Sequence, residues 1–235
     1  MKAMVLAAGL GTRLRPLTEH RPKALVEVAG RTMLEIALAR LRAFGIRDAI
    51  VNVHHFADMV AEYLETNHNF GMHIEISRED HVLLDTGGGL QKASWFFRDD
   101  PEPFILHNVD VISTIDLRRM AEFHAEHHAL ATIAVQDRKT SRPLMFDERL
   151  QLCGRGPGLA FSGIHVISPA LFPMLTEERP FSIIDSYLRL AAAGEKILAF
   201  RADEYYWRDL GRLEDLKQAA EELGERGTGS GVMLE

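Results

Sequence analysis

The sequence has little cysteine, no long apolar run and no excess of positive charge, and each shortage excludes a class of protein. Cys153 is the only cysteine among 235 residues, so no disulfide can form within the chain. We therefore expect a reducing compartment, the cytoplasm. No apolar run approaches the ~20 residues of a membrane-spanning helix, so we expect no membrane partner. The net charge is −7, and because nucleic-acid binding needs clustered cations, we expect no nucleic-acid partner either.

What the chain does contain is typical of a soluble globular protein, with 46% hydrophobic and 26% charged residues. Its length suits one large α/β domain with a sizeable core. We predict a single domain over residues 1–224 and a flexible tail over residues 225–235, where the sequence reads ERGTGSGVMLE. Nothing in the sequence indicates the oligomeric state.

Apolar runs of strand length alternate with segments of helical periodicity along most of the chain. Strands are predicted over residues 2–7, 48–53, 72–77, 103–109, 129–136, 161–168, 196–200 and 204–211. Helices are predicted over residues 32–45, 57–67, 89–97, 117–127, 182–194 and 212–224. Strands that alternate with helices in this way indicate a mostly parallel sheet with helices on both faces, an α/β fold in three layers.

The segment after the first predicted strand, AAGLGTRLRPLTEHRPKAL, combines glycines with cations. It is not a Walker A loop, because Gly-Lys-Ser/Thr is absent, and Leu14 stands where a dinucleotide fingerprint has its third glycine. Gly9 and Gly11 would let backbone N–H groups approach phosphate oxygens. Arg13 can bind two such oxygens at once, and Lys23 supplies a point charge. The pattern fits a nucleoside triphosphate site, and a plain glycine turn with solvated cations is an equal alternative.

Three later segments carry further candidate residues. In LLDTGGGLQKA, three glycines stand at a predicted helix start, where Thr86 could also serve as the helix cap. In FILHNVDV, Asp110 follows a buried strand, and ligands bind beyond the carboxyl ends of strands in such sheets. The third segment, YWRDLG, contains Asp209.

These four segments, in this order, resemble the sugar-1-phosphate nucleotidyltransferases, whose signature is G-x-G-T-R…P-K. The resemblance extends from residue 1 to about residue 224 and implies a three-layer, Rossmann-like nucleotidyltransferase fold with a mixed, mostly parallel sheet. It implies an enzyme whose substrates are an NTP and a sugar 1-phosphate. The implied nucleotide-binding residues are Ala8, Gly9, Gly11, Thr12, Arg13, Gly87, Gly88, Gly89 and Asn108.

The resemblance also implies the catalytic roles. Asp110 and Asp209 would hold Mg²⁺ while an oxygen of the sugar phosphate attacks the α-phosphorus of the NTP and pyrophosphate leaves. Arg13 would steady the leaving pyrophosphate, and Lys23 would offset the charge gathering at the α-phosphorus. No general base is required, because a phosphate monoester is already anionic near neutral pH.

Two departures from the family pattern stand out. Val109 replaces the glycine of the usual Asn-Gly-Asp, adding bulk where the backbone normally lies against the substrate. The E-K-P segment of many hexose-1-phosphate members is missing, and CGRGPG (residues 153–158) stands near its place. Both departures leave open an alternative class, a non-catalytic regulatory protein that binds a nucleotide-sugar.

Within the family, the TGGG and FSGI segments are most similar to the uridylyltransferases that act on N-acetylmuramate 1-phosphate in cell-wall recycling. Guanylyltransferases for mannose or heptose 1-phosphate are the alternatives. Ser162 and Gly163 are expected near the sugar. Muramate carries a lactyl carboxylate, for which Arg138 and Arg142 are candidate partners, the alternative being two ordinary surface arginines.

Overall fold

A central sheet lies between two layers of helices in the computed structural model, which describes residues 1–228. The strands are β1 (Ala3–Leu6), β2 (Glu27–Val28), β3 (Arg31–Thr32), β4 (Asp48–Val53), β5 (His73–Arg78), β6 (Phe104–Asn108), β7 (Val111–Ser113), β8 (Ala131–Gln136), β9 (Leu144–Phe146), β10 (Leu152–Arg155), β11 (Ala160–Ile167), β12 (Ile197–Arg201) and β13 (Trp207–Asp209). The helices are α1 (Met33–Ala43), α2 (Ala57–Thr66), α3 (Asp85–Lys92), α4 (Leu117–Glu126), α5 (Ile183–Ala192) and α6 (Leu213–Thr228). Short 3₁₀ turns include Thr12–Leu14 and Lys23–Leu25.

The main sheet has seven strands in the order β12-β8-β11-β6-β1-β4-β5. Strand β11 runs antiparallel to both of its neighbours, and the other pairs are parallel. The sheet is therefore mixed and mostly parallel, which confirms the predicted fold class.

Helices cover both faces of this sheet, so both faces are buried. Successive side chains of a strand point to opposite faces and therefore enter different cores. On β1, Val5 belongs to one core and Met4 to the other. The first core also contains apolar residues of α1, α2, α4 and α6, and the second contains residues of α3 and α5. Strands covered on both faces read as continuous apolar runs, which is why most of them were predictable.

The strand order indicates a ligand crevice at β1. From β1 the chain moves outward to β4 and β5, and then returns to form β6 on the other side of β1. In open α/β sheets, the carboxyl ends of the strands at such a reversal bound the ligand crevice. The loop after β1 and the residues after β6 therefore flank this crevice.

The structure also differs from the predicted elements. Three short strand pairs were not predicted, namely β2–β3, β9–β10 and β7–β13. Helix α3 begins at Asp85, four residues before its predicted start, and α6 continues to Thr228, past its predicted end. The rest of the predicted tail, residues 229–235, lies outside the described residues. Within residues 1–228, no helix has both the length and the apolar character that crossing a bilayer requires.

Candidate active site

The glycine loop after β1 packs tightly against the segment that carries the lysine. Gly11 has a φ of +63°, and its carbonyl accepts hydrogen bonds from Leu14 N and from Thr18 Oγ1, both at 2.8 Å. A Cβ at position 11 would lie 2.9 Å from Thr18 Cγ2 and 3.0 Å from Lys23 Cβ. Both the backbone conformation and this close approach require glycine here.

Lys23 is buried at the start of the 3₁₀ turn Lys23–Leu25, with only 8% of its surface exposed. Its Nζ makes an ion pair and hydrogen bond with Asp110 Oδ2. The predicted lysine and the first predicted carboxylate are thus in direct contact, although a long stretch of chain separates them. A buried ammonium group needs such a partner, because burial of an unpaired charge is costly.

The second carboxylate reaches the site through the β7–β13 pair. Asp209 lies opposite Val111 in this antiparallel ladder, and Leu210 N donates to the carbonyl of Asp110 at 2.8 Å. Burial raises the pKa of Asp209 above its usual value, and the negative charge of Asp110 raises it further, while Lys23 and then Arg13 act in the opposite direction. The two carboxylates therefore share one electrostatic environment.

Arg13 meets Asp209 at Gly211. A Cβ at position 211 would press against Asp209 Oδ1 and lie 2.6 Å from Arg13 Nη2. Gly211 N also donates to Asp209 Oδ1 at 2.7 Å, which orients the carboxylate. The structure thus brings all four predicted catalytic residues, Arg13, Lys23, Asp110 and Asp209, to one place.

A cavity of about 500 Å³ opens beside this cluster. It lies at the carboxyl ends of β1, β4 and β6, and its volume is in the range of small-molecule sites. Its lining residues are Leu6, Ala8, Gly9, Asn52, Leu83, Asp85, Thr86, Asn108, Asp110 and Pro180. Four predicted residues, Ala8, Gly9, Asn108 and Asp110, are among them.

The three glycines of TGGG lie inside α3 and pack against protein. A Cβ on Gly87 would collide with the ring of Phe181, and one on Gly88 would lie 3.1 Å from Leu84 Cβ. A Cβ on Gly89 would lie 2.8 Å from Asn52 Nδ2 and from Glu79 Oε1. These contacts explain the glycines by close packing, and their implied role in nucleotide binding stays a prediction.

The prediction that Thr86 caps this helix is wrong. Leu84 occupies the N-cap position, and no side chain caps the helix there. The hydroxyl of Thr86 instead accepts a hydrogen bond from Ile183 N at 3.0 Å. That bond ties the start of α3 to the start of α5, because Ile183 is the first residue of α5.

A buried polar pair, Asn52 and Glu79, was missed by the sequence analysis. Asn52 Oδ1 accepts from Ala7 N, and Asn52 Nδ2 donates to Glu79 Oε1, each at 2.7 Å. Glu79 Oε2 accepts from Leu84 N at 2.8 Å. The pair thus links Ala7, at the start of the glycine loop, to Leu84, the residue that precedes α3. The available signal was a polar residue inside the apolar run DAIVNV.

Val109, the departure from Asn-Gly-Asp, is a core residue. It is 5% exposed, belongs to the core on the α1 side, and donates its N–H to Leu6 O at 3.1 Å. Its neighbours Asn108 and Asp110 line the cavity. The expectation that valine adds bulk against the substrate therefore does not hold, because its side chain packs into the core.

The expected sugar side lies around an irregular part of β11. Gly163 has a φ of +76°, and a Cβ there would lie 2.7 Å from Val111 Cγ2 and 3.0 Å from Asn108 Nδ2. The register of β11 against β8 shifts between Phe161 and His165. Gly163 is thus held directly against Asn108 at the edge of the cavity.

The two candidate arginines have different environments. The Arg138 guanidinium lies 3.6 Å from the ring centroid of Trp207, and Nη2 donates to Phe161 O at 2.6 Å. Trp207 Nε1 donates to Ser162 O at 2.7 Å. Burial lowers the pKa of Arg138, and the charge of Asp209 opposes that shift. Arg142, in contrast, is exposed.

The cluster suits a cation that shares its ligands with a substrate. Among residues 1–228, no group of three or more histidine, cysteine, aspartate or glutamate side chains could hold a metal by itself. Asp110 and Asp209 supply hard oxygens, and burial, followed by the negative charge of Asp110, raises the pKa of Asp209. These features fit Mg²⁺, which keeps several waters and binds phosphates.

Comparison with known proteins agrees with this geometry. The model of the family described as Nucleotidyl transferase matches residues 2–146. The N-acetylmuramate alpha-1-phosphate uridylyltransferase of Caulobacter vibrioides is 33% identical over 95% of this chain and 97% of its own length. A mannose-1-phosphate guanyltransferase of Candida albicans is 30% identical over 92% of this chain, which spans 62% of that enzyme.

A solved structure shows the same fold. HddC from Yersinia pseudotuberculosis, in complex with GMP-PN, has a TM-score of 0.79 to this chain at 22% identity, covering 94% of this chain and 99% of HddC. With a family match over more than half of its length and a full-length relative at 33% identity, the chain belongs to the sugar-1-phosphate nucleotidyltransferases.

Proposed function

We propose that the chain is a Mg²⁺-dependent uridylyltransferase that joins UTP and N-acetylmuramate 1-phosphate and releases pyrophosphate. The observation that carries this proposal is the convergence of Arg13, Lys23, Asp110 and Asp209 beside a cavity at the β1–β6 crevice. The choice of substrates is supported by the Caulobacter vibrioides relative, which matches this chain along nearly its whole length. We place the reaction in the cytoplasm, in keeping with the single cysteine.

The proposed reaction is an in-line displacement at the α-phosphorus of the nucleotide. An oxygen of the sugar phosphate forms a bond to this phosphorus while the bond to the β-phosphate oxygen breaks, so the electron pair leaves with pyrophosphate. Such a transfer depends on positioning and charge neutralisation. Mg²⁺ held by Asp110 and Asp209 would supply charge neutralisation and orientation of the phosphate oxygens.

The glycine loop, Lys23 and Arg13 each have a separate role in this reaction. The glycine loop from Gly9 to Gly11 presents backbone to the triphosphate. Lys23 stands beside Asp110, where it can meet the developing charge at the α-phosphorus. Arg13 is more exposed than Lys23 and lies next to Gly211, where its planar guanidinium suits the departing pyrophosphate.

Arg138 supports a sugar that carries an acidic group. Its guanidinium is held in place by Trp207 and by the carbonyl of Phe161, near Asp209 and thus near the proposed metal. An arginine that is already ordered loses less entropy when it binds a carboxylate. We therefore assign the lactyl carboxylate of N-acetylmuramate to Arg138 and leave the exposed Arg142 without a role.

A guanylyltransferase is the second candidate function. It is favoured by the Candida albicans relative, but this chain spans only 62% of that enzyme. A binding protein without turnover was motivated in part by Val109. The burial of Val109 in the core removes that motive, because the valine leaves the cavity wall to its neighbours.

A matrix of substrates tests the proposal. UTP, GTP, CTP and dTTP are each paired with the 1-phosphates of N-acetylmuramate, N-acetylglucosamine, mannose and glucose in Mg²⁺ buffer, and pyrophosphate is measured. We expect the highest kcat/KM for UTP with N-acetylmuramate 1-phosphate. A higher value for GTP with mannose 1-phosphate would establish the second candidate. Binding without pyrophosphate from any pair would refute catalysis.

A further inference from the structure

Lys23 occupies an unusual position for a residue expected to bind substrate phosphate. Its ammonium group is buried and already paired, with Asp110 Oδ2 as its partner. The same carboxylate is one of the two that we assign to the proposed cation. In this state the lysine thus takes the place of a positive ion on Asp110.

The charges around the cluster explain why the lysine stays there. Asp110 and Asp209 are neighbours, and the negative charge of Asp110 adds to the effect of burial in raising the pKa of Asp209. Lys23 is the buried cation at this pair, whereas Arg13 is exposed to solvent. Without Lys23, two adjacent, partly buried carboxylates would share the site with an exposed and screened arginine, which is costly.

The start of the Lys23 side chain packs against Gly11, and its end pairs with Asp110. Its Cβ lies against Gly11, so the start of the side chain is held by the loop that would bind the triphosphate. The lysine stem has four carbons and its ammonium donors rotate. From this anchor Nζ can turn between Asp110 and a phosphate bound at the glycine loop.

We propose that Lys23 is an internal counter-ion that lowers the metal affinity of the nucleotide-free protein and leaves Asp110 when a triphosphate binds. The proposal rests on the proposed function, because it assumes that metal and NTP share this site. Triphosphate binding offers Lys23 a more negative partner and frees Asp110 Oδ2 for the metal. By linkage, a bound metal also strengthens triphosphate binding, because it releases Lys23 from its carboxylate.

The test is metal affinity in the absence of nucleotide. Mn²⁺ serves as the probe, because it prefers the same oxygen ligands and its free concentration can be read by electron paramagnetic resonance. Wild type, Lys23→Met and the control Arg13→Met are titrated as full-length proteins after thermal unfolding shows that each is folded. Lys23→Gln replaces Lys23→Met if the methionine variant does not fold.

We expect Lys23→Met to bind Mn²⁺ about tenfold more tightly than wild type, because one close positive charge is removed from a partly buried site. Arg13→Met should differ from wild type by less than about threefold, since charges exposed to solvent are screened. Adding Asp110→Asn to Lys23→Met should abolish the gain.

Three outcomes would overturn the proposal: equal affinity of Lys23→Met and wild type, an equal gain in Arg13→Met, or no Mn²⁺ binding in any variant. These outcomes are independent of turnover. A protein that releases no pyrophosphate but shows the gain in Lys23→Met would refute the proposed function alone. An active enzyme without the gain would refute this inference alone.

Discussion

The two ends of the crevice are held together by different forces. At the phosphate end, Lys23, Asp110, Asp209 and Arg13 are positioned around one another by charge and by the β7–β13 ladder. At the expected sugar end, Arg138 is held by stacking on Trp207 and by the carbonyl of Phe161. Trp207 in turn donates to the carbonyl of Ser162. A change of charge should therefore act mainly at the first end, and a change of shape or stacking at the second.

This difference matches two parts of the substrates, namely the phosphates that all family members bind and the sugar that differs between members. Under the proposed function, the phosphate end would handle groups common to every NTP and sugar 1-phosphate, so its chemistry would depend on a few charges. The expected sugar end would face the variable part of the substrate. We expect variants of the first end to lower kcat for all substrates, and variants of the second to change the preference among sugars.

The largest expected effect is at the carboxylates. Asp110→Asn and Asp209→Asn should each lower kcat by about a thousandfold or more for every sugar tested, because metal-held charge neutralisation is worth several kcal/mol in such transfers. The measurement is steady-state pyrophosphate release. Asp116→Asn is the matched control, since Asp116 caps α4 through Arg118 N and Arg119 N, outside the cluster. A fully active Asp209→Asn would refute the metal role.

A smaller loss is expected from filling the space at Gly211. Gly211→Ala adds a methyl group against Asp209 Oδ1 and Arg13 Nη2, so both must shift. We expect kcat to fall roughly tenfold to a hundredfold, since small displacements of catalytic groups are costly. Gly154→Ala is the control, because the nearest atom to its added Cβ would be Met145 Cε at 3.5 Å. Equal kcat in the two variants would show that the cluster tolerates displacement.

The sequence predicted the phosphate end better than the sugar end, for a physical reason. The glycine loop and Asp110 follow buried strands whose apolar runs are easy to recognise, and the carboxyl ends of parallel strands meet at one edge. Only Asp209 needed the family resemblance, because its partner strand β7 has three residues and was not predicted. The contacts among these residues depend on tertiary packing and were found only in the structure.

At the sugar end, no short segment carries the arrangement. The stacking of Arg138 on Trp207 joins the loop after β8 to β13, and both side chains donate hydrogen bonds to carbonyls of β11. The pattern DRKTSRPL contains two arginines without indicating which one is held. Likewise, the TGGG glycines suggested a substrate contact, whereas their closest neighbours are Phe181, Leu84 and the Asn52–Glu79 pair. Sequence spacing does not reveal which side of a helix meets a neighbour.

The third effect should be selective among sugars. Arg138→Met should raise KM for N-acetylmuramate 1-phosphate about tenfold, because a charge-assisted hydrogen bond to the carboxylate is lost. KM for N-acetylglucosamine 1-phosphate, which lacks the carboxylate, should change by less than about twofold on the same reasoning. The exposed Arg142→Met is the control. An equal rise in KM for both sugars would mean that Arg138 supports the site only by packing.

The smallest effect concerns stability and tests whether charge governs the phosphate end without substrate. The raised pKa of Asp209 means that its ionised form is disfavoured in the folded protein, relative to the unfolded chain. Metal-free Asp209→Asn should therefore unfold at a slightly higher temperature than wild type at pH 7. This advantage should shrink as the pH falls through the raised pKa and vanish below the ordinary aspartate pKa of about 3.9, where both states are protonated.

Thermal unfolding in EDTA between pH 3.5 and 7.5 measures this stability difference, with Asp116→Asn as the control. A lower unfolding temperature for Asp209→Asn at pH 7 would show that hydrogen bonds, such as that from Gly211 N, outweigh the repulsion between the carboxylates.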